Sequence, residues 1–233
     1  MTLNKQKGNM YPFVTHTWNP IKGTCPHKCS YCYMKRFPQG ELRLDEKCLK
    51  DNLGEGNFIF IGSSTDMFNY YIADSWIDRV FNRMDKYPNN TFLFQTKNPV
   101  RYNLLNMIPL DNTIFGVTIE TNRNYQKSVA TIPYSRYLEM IRFKAKRKMI
   151  SIEPIMDFDL DIFVKWIKDI NPEFVSIGAD SKNSKLQEPT SEKVKKLIEE
   201  LEKFTEVKIK DNLKRLSHKE GIRKWNYQMK NIK

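Results

Sequence analysis

No stretch of this chain approaches the roughly 18 to 20 consecutive apolar residues that a bilayer-spanning helix needs. The opening segment, MTLNKQKGNMYPF, carries a little positive charge but no apolar run long enough for a secretory signal. A soluble, cytoplasmic protein with no membrane partner is expected. Cysteine is scarce, with four in 233 residues. That is too few for a disulfide scaffold, and in a reducing compartment such thiols serve as metal ligands or reactive groups. No internal repeat, low-complexity tract or Pro/Gly/Ser-rich linker divides the chain, so one domain over 1–233, acting as a monomer, is expected. Acidic residues are outnumbered, 27 Asp and Glu against 39 Lys and Arg, which leaves a net charge of +12. The excess suits a nucleic acid or a phosphorylated ligand, because Lys and Arg release counterions when they neutralise phosphates. A Lys-rich composition also yields the same charge as plain solvated surface.

Apolar residues make up 40% of the chain and aromatics 12%, enough for a sizeable core. Short β-rich runs occur at 13–17, 57–62, 91–96, 113–119, 148–152, 173–178 and 206–210, several of them nearly continuous in apolar or β-branched residues, as strands buried on both faces are. Between them lie helical periodicities: Ile77, Val80, Phe81 and Met84; Tyr134, Tyr137, Leu138 and Ile141; Phe163, Trp166, Ile167 and Ile170; and Val194, Leu197, Ile198 and Leu201, with Thr190 and Ser191 as N-cap candidates. Strand and helix alternating at this spacing predict right-handed βαβ units on a parallel sheet. The expected fold is α/β, a partial, open parallel βα barrel of six or seven strands, TIM-barrel-like, with a doubly wound sheet as the alternative. A basic helical tail over about 203–233 would follow the barrel.

In such a barrel the chemistry sits where strands end and βα loops begin. Polar residues fall there repeatedly: Ser63, Ser64, Thr65 and Asp66; Gln95, Thr96 and Lys97; Thr118, Glu120 and Asn122; Ser151 and Glu153; Gly178 and Asp180. Loops are polar by default. The recurrence, with Glu120 and Glu153 beside apolar strand residues where an unpaired charge is costly, marks a shared cavity.

The stretch TCPHKCSYCY puts Cys25, Cys29 and Cys32 on one loop after the first predicted strand. A thiolate triad binds soft metal, which leaves an iron–sulfur cluster or zinc. Zinc would want a fourth ligand, and His27, His16 or Cys48 could supply it. An incomplete set suits a catalytic centre with an open position.

The pattern C25-P-H-K-C29-S-Y31-C32 resembles the signature of the radical S-adenosylmethionine (radical SAM) superfamily. The wider stretch THTWNPIKGTCPHKCSYCYMKRF looks like the start of phage-associated radical-SAM-like proteins of unassigned substrate. It is similar, more distantly, to spore photoproduct lyase and related DNA-repair-like proteins. The resemblance spans about residues 11–215, and its specific part is the cysteine motif. It implies a [4Fe–4S] cluster on Cys25, Cys29 and Cys32, whose fourth iron is chelated by S-adenosylmethionine. It also implies reductive cleavage to a 5′-deoxyadenosyl radical, fed by a donor such as a flavodoxin or ferredoxin. Tyr31 would pack near the cluster or adenine. Gly62-Ser63-Ser64-Thr65-Asp66 stands where the family often has a GGE-like turn, and Thr118 and Glu120 where ribose contacts lie. Together with Gln95, Lys97, Ser151 and Glu153 these are the candidate cofactor contacts. The family's element near the fifth strand is not visible here.

The expected activity is therefore a radical SAM modification or repair of a nucleic-acid base or nucleotide. A peptide or small-metabolite substrate is the runner-up, and a non-catalytic zinc- or cluster-containing nucleic-acid-binding module is the alternative of another class. Cys48 is read as incidental, with hydrogen-atom return to a product radical as its functional reading. Lys97 suits a carboxylate or phosphate. Trp18 is expected in the core, and Tyr33 stacks on a base or packs. In the tail, Trp225 and Tyr227 among Lys and Arg suit either a closing helix or a nucleic-acid contact.

Overall fold

The structure is a computed structural model that describes residues 3–6, 10–105 and 110–216. In chain order the elements are β1 (Asn4–Lys5), β2 (His16–Trp18), β3 (Ile21–Lys22), β4 (Arg43–Leu44), β5 (Phe58–Ile61), α1 (Asp74–Met84), β6 (Thr91–Thr96), α2 (Val100–Leu104), β7 (Thr113–Thr118), α3 (Pro133–Arg142), β8 (Lys148–Ile152), α4 (Leu160–Ile170), β9 (Phe174–Ile177), α5 (Ser191–Leu201) and β10 (Glu206–Ile209). One sheet runs β1-β2-β5-β6-β7-β8-β9-β10. Its strands from β2 onward are parallel, and β1 adds an antiparallel edge. β1 and β10 stand at opposite ends of that order, so the barrel is open. Each expected strand forms, the first of them shifted to 16–18. The short strand β1, the β3–β4 hairpin and the five-residue α2 lack a pattern long enough to read in advance.

Alternation along the strands divides the core. One set of residues, including Ile59, Ile61, Phe92, Phe94, Phe115, Val117, Ile150, Ile152, Val175 and Ile177, packs under the helices. The helices meet it with the stripes that their periodicity announced: Ile77, Val80 and Met84 from α1, Phe163, Trp166, Ile167 and Ile170 from α4, and Val194, Leu197, Ile198 and Leu201 from α5. Each such buried side chain contributes about 1.5 to 3 kcal/mol. Thr190 caps α5 by accepting from the Lys193 N–H at 3.3 Å. Trp18, 1% exposed, belongs to this core and donates its indole N–H to the Cys48 carbonyl.

The other strand face carries a smaller apolar layer of Phe60, Leu93, Ile114, Met149 and Phe174, closed by Tyr11 and Val14. Further along the same face, two residues on in β6 and β8 and four in β7, the side chains turn polar: Gln95, Ser151 and Thr118. This step from apolar to polar along one face makes a floor with a polar end. Gly116 sits in the floor because a Cβ there would lie 2.6 Å from the Phe94 carbonyl oxygen and 2.7 Å from Met149 Sδ.

The described part of the expected helical tail, 203–216, is not a helix. It holds β10 and a 3-10 turn, Asp211–Arg215, because the β-branched run EVKI pairs with β9. Trp225 and Tyr227 lie outside the described residues. Among those described, no helix is long and apolar enough to cross a membrane.

Candidate functional site

The cysteine loop is the long excursion between β3 and β4, whose antiparallel pairing closes its base. Gly23 starts it at φ 117°, with room for no side chain, since a Cβ would lie 2.3 Å from the Glu41 carbonyl oxygen. Thr24 then donates both its backbone N–H and its hydroxyl to the Gly40 carbonyl, each at 3.0 Å. Successive turns follow, with Lys28 N–H on Cys25 O and Cys32 N–H on Cys29 O, before the 3-10 turn Tyr33–Arg36. Lys28 takes φ 48° to make this path.

Cys25, Cys29 and Cys32 are free thiols on the wall of one cavity of about 620 Å³. Burial, reinforced by the charge of Asp66, pushes the Cys25 thiol up to about 11, and burial raises Cys29 as well. Both are therefore protonated until a cation displaces the proton. Among the described residues no three His, Cys, Asp or Glu side chains are placed to hold a single metal ion.

Opposite the thiols lie the strand ends. Of the sequence candidates, Tyr31, Ser63, Ser64, Asp66, Gln95, Lys97, Thr118 and Glu153 line this cavity. The Ser63 hydroxyl and the Ser64 N–H both donate to Asn19 Oδ1 at 3.1 Å. Gln95 accepts from the Tyr11 hydroxyl at 2.6 Å and donates to Thr118 Oγ1 at 2.8 Å. Glu153 holds Lys210 Nζ at 2.8 Å and Asn212 Nδ2 at 3.1 Å at the far end, which Asp180 also lines.

Two candidates are placed elsewhere. Ser151, fully buried, donates its hydroxyl to the Tyr11 hydroxyl oxygen at 2.8 Å and lies beneath it, so Tyr11 rather than Ser151 meets the cavity. Glu120 is 1% exposed and lies behind Tyr31, facing a second hollow of about 110 Å³. Its carboxylate takes the Tyr31 hydroxyl, Lys97 Nζ at 2.6 Å and Arg136 at 2.8 Å. Burial alone would raise its pKa, but Arg136 and Lys97 hold it at about 2.

Asp66 is similarly engaged. Its carboxylate accepts from His27 Nε2 at 2.7 Å, the Thr96 hydroxyl at 2.9 Å, and the backbone N–H groups of Lys97 and Phe68 at 2.8 and 3.0 Å. Burial pushes it up, and the His27 ring with these donors more than reverses the effect. The other ring nitrogen of His27, Nδ1, faces Asn69 Nδ2 at 3.1 Å. Asn69 Oδ1 accepts from Tyr71 N–H, which orients the amide, so Nδ1 accepts and Nε2 carries the proton. Both nitrogens are committed, which removes His27 as a zinc ligand. Cys48 and His16 do not line the cavity, and with them the remaining protein ligands considered for zinc are lost.

The sequence reading missed Tyr11 and Lys210 as cavity residues, Asn19 as the acceptor behind Ser63 and Ser64, and Arg136 as a partner of Glu120. Lys210 had a signal, since it ends the last predicted strand, 206–210. Tyr11 had none, lying in a short segment ahead of the first predicted strand.

A family model described as "Protein of unknown function (DUF5131)" matches residues 10–185. No curated protein matches the chain. Among solved structures it is similar to a spore photoproduct lyase mutant with bound AdoMet and dinucleoside spore photoproduct, with a TM-score of 0.60 at 11% identity over 89% of this chain and 80% of that one. A second mutant form of that lyase aligns with a TM-score of 0.60 at 10% identity, over 88% and 78%. Native anSMEcpe with bound AdoMet and Cp18Cys peptide aligns with a TM-score of 0.50 at 12% identity, over 83% of this chain and 62% of that one. The shared feature is the fold, an open parallel βα barrel.

Proposed function

From the premise that the chain belongs to the DUF5131 family and has this fold, we propose that it is a radical SAM enzyme acting on a nucleic-acid base or nucleotide. One observation carries the reading: three thiols of one loop face the polar ends of a parallel sheet across a single cavity. The donor set fits an iron–sulfur cluster. Three thiolates without a fourth protein ligand suit a cluster with one open iron, whereas structural zinc takes four protein donors around one ion. Cys25, Cys29 and Cys32 would hold it. Bound together with S-adenosylmethionine, such a cluster supplies a 5′-deoxyadenosyl radical by reductive cleavage.

The protein's share is to bind, orient and exclude water. A cavity of about 620 Å³ is within the range of small-molecule sites, roughly 300 to 1,000 Å³. Ser63, Ser64, Gln95, Lys97, Thr118 and Glu153 are its polar contacts for cofactor or substrate. Asp66 also lines the cavity, where His27 and Thr96 hold its carboxylate, whereas Glu120 and Ser151 lose that role because they do not line it. Tyr33 and Phe37, 43% and 53% exposed, line the same cavity beside Arg36. Aromatic faces with a cation suit a base and its phosphate, and this favours nucleic acid. A peptide substrate is the second reading, because anSMEcpe, with a similar fold, was solved with one bound.

The test begins with anaerobic purification, where about four irons per chain are expected. Cleavage of S-adenosylmethionine to 5′-deoxyadenosine under a chemical reductant, flavodoxin or ferredoxin is then measured with DNA, RNA or no polymer, across a salt series. Stimulation by one polymer that weakens steeply with salt supports the reading. Colourless protein with one zinc would end it, and cleavage indifferent to both polymers would move the substrate to peptides or metabolites.

A further inference from the structure

The residues between the cysteines show a regularity that the cluster alone does not require. Positions 25, 27, 29 and 31 alternate thiol, His27, thiol, Tyr31. His27 is 4% exposed and bonds through both ring nitrogens, to Asp66 after β5 and to Asn69. Tyr31 reaches the other way, to Glu120 after β7, with Lys97 Nζ 5.3 Å from its ring centre. Lys97 joins the two anchors, its backbone N–H on Asp66 and its ammonium on Glu120. Arg136 of α3 ties Glu120 to the scaffold and also donates to the Thr131 carbonyl at 2.6 Å and the Thr118 carbonyl at 2.9 Å. On the backbone, Ser30 N–H donates to Lys127 O at 2.7 Å and Val129 N–H to His27 O at 2.9 Å.

We propose that His27 and Tyr31 are positioning residues, a two-point brace that sets the shape of the cysteine loop before metal arrives, so that the thiols are presented to a cluster rather than gathered by it. That role rests on the cluster reading for its purpose but not for its existence. Each anchor is a side chain whose polar end has a committed, buried partner on a strand-end residue, and the two pull on opposite sides of Cys29. Such a loop stays ordered in the metal-free chain. Small metal domains whose ligands lack these partners fold only when the metal binds.

The experiment is peptide-resolved labelling of the full, metal-free chain with N-ethylmaleimide, comparing wild type with Tyr31→Phe and with His27→Phe. Tyr31→Phe deletes one hydroxyl and leaves Glu120 its two cations, so the fold survives. Cys48, buried in the main core and not on the cavity wall, reports on global unfolding. The brace predicts that Cys25, Cys29 and Cys32 react roughly tenfold faster in each variant while Cys48 does not change, as expected when a lost hydrogen bond favours local opening. Loop thiols unchanged in both variants, or Cys48 rising in step with them, overturns the brace. Iron loading gives the second readout. If wild type takes up iron, the variants should lose it faster to a chelator and show a broadened electron paramagnetic resonance signal. Identical retention and line shape would overturn the brace. Wild type that takes up no iron defeats the cluster reading, and the labelling still judges the brace.

Discussion

Glu120→Gln tests how much stability the scaffold behind the cysteine loop carries. The wild-type carboxylate, 1% exposed, is met by Arg136 at 2.8 Å and Lys97 at 2.6 Å. Held at about 2 against about 4.3 in an unfolded chain, it contributes roughly 3 kcal/mol at neutral pH. The amide keeps the volume but leaves Arg136, 3% exposed, without its counterion. A total loss of about 3 to 5 kcal/mol is therefore expected. The sign with pH follows from the depressed folded value. The contribution is complete above the unfolded pKa and is lost as pH falls through the folded one, with about half gone near pH 3. The stability gap between wild type and variant should narrow accordingly, since every other carboxylate is common to both chains. Urea unfolding from pH 7 down to about 3, with the m-values compared to confirm the same cooperative unit, measures it. A gap under about 1 kcal/mol at neutral pH, or one that acid leaves unchanged, would refute the account of Glu120 as a buried, charged hub.

Lys148, 9% exposed with Nζ on the Met140 carbonyl at 2.7 Å, has its pKa drawn down to about 8 by burial and then by Lys144. The fold therefore disfavours the ammonium, and the penalty stands below that value and fades toward about pH 10 as the folded chain loses the proton first. Lys148→Met should raise stability at neutral pH by about 1 to 2 kcal/mol, less than the whole shift because a hydrogen bond is lost. Thermal melts at pH 7 and near 10 check this, and a variant less stable at neutral pH refutes it. Gly116→Ala should cost about 1 to 3 kcal/mol through overpacking against Phe94 and Met149. Denaturant midpoints equal to wild type would show that the floor yields more than its geometry implies.

The parallel strands and the four long helices were legible because their signals are local and repeated. Phe163, Trp166, Ile167 and Ile170 can bury together only on a helix, and continuous runs such as TIFGVT only in a covered strand. The β3–β4 hairpin rests on two residues per strand and on the positive φ of Gly23, neither of which forms a pattern. The site was legible by position and less so by role. Thr118 and Glu120 both sit where β7 ends, two residues apart, and alternation puts them on one face. The strand stops at Thr118, however, and the chain turns so that Glu120 meets α3 through Arg136 while Thr118 faces Gln95 and the cavity. A strand-end carboxylate that satisfies the scaffold and one that awaits a ligand look alike in sequence. Only the cation 16 residues further on, Arg136, distinguishes them.

Local pairing also decides where the basic excess of the chain can act. In the described part of the tail, Lys214 pairs with Asp211 at 2.6 Å and Arg215 with Glu188. Those two cations are compensated within the protein, so they add little to an outward field, and exposed pairs of this kind are worth only about 0 to 1 kcal/mol. The excess of basic residues therefore bears on a polyanion most directly where it accompanies a surface that can read one. Arg36 meets that condition, since it follows Cys32 on the cysteine loop and shares the cavity wall with Tyr33 and Phe37. Phosphate affinity and base stacking would then arise beside the thiols, within reach of the reacting centre, and not on an appendage. In the salt series, charge removal at Arg36 should lower the slope where removal at Lys214 and Arg215 leaves it unchanged. The reverse result would return the nucleic-acid surface to the tail.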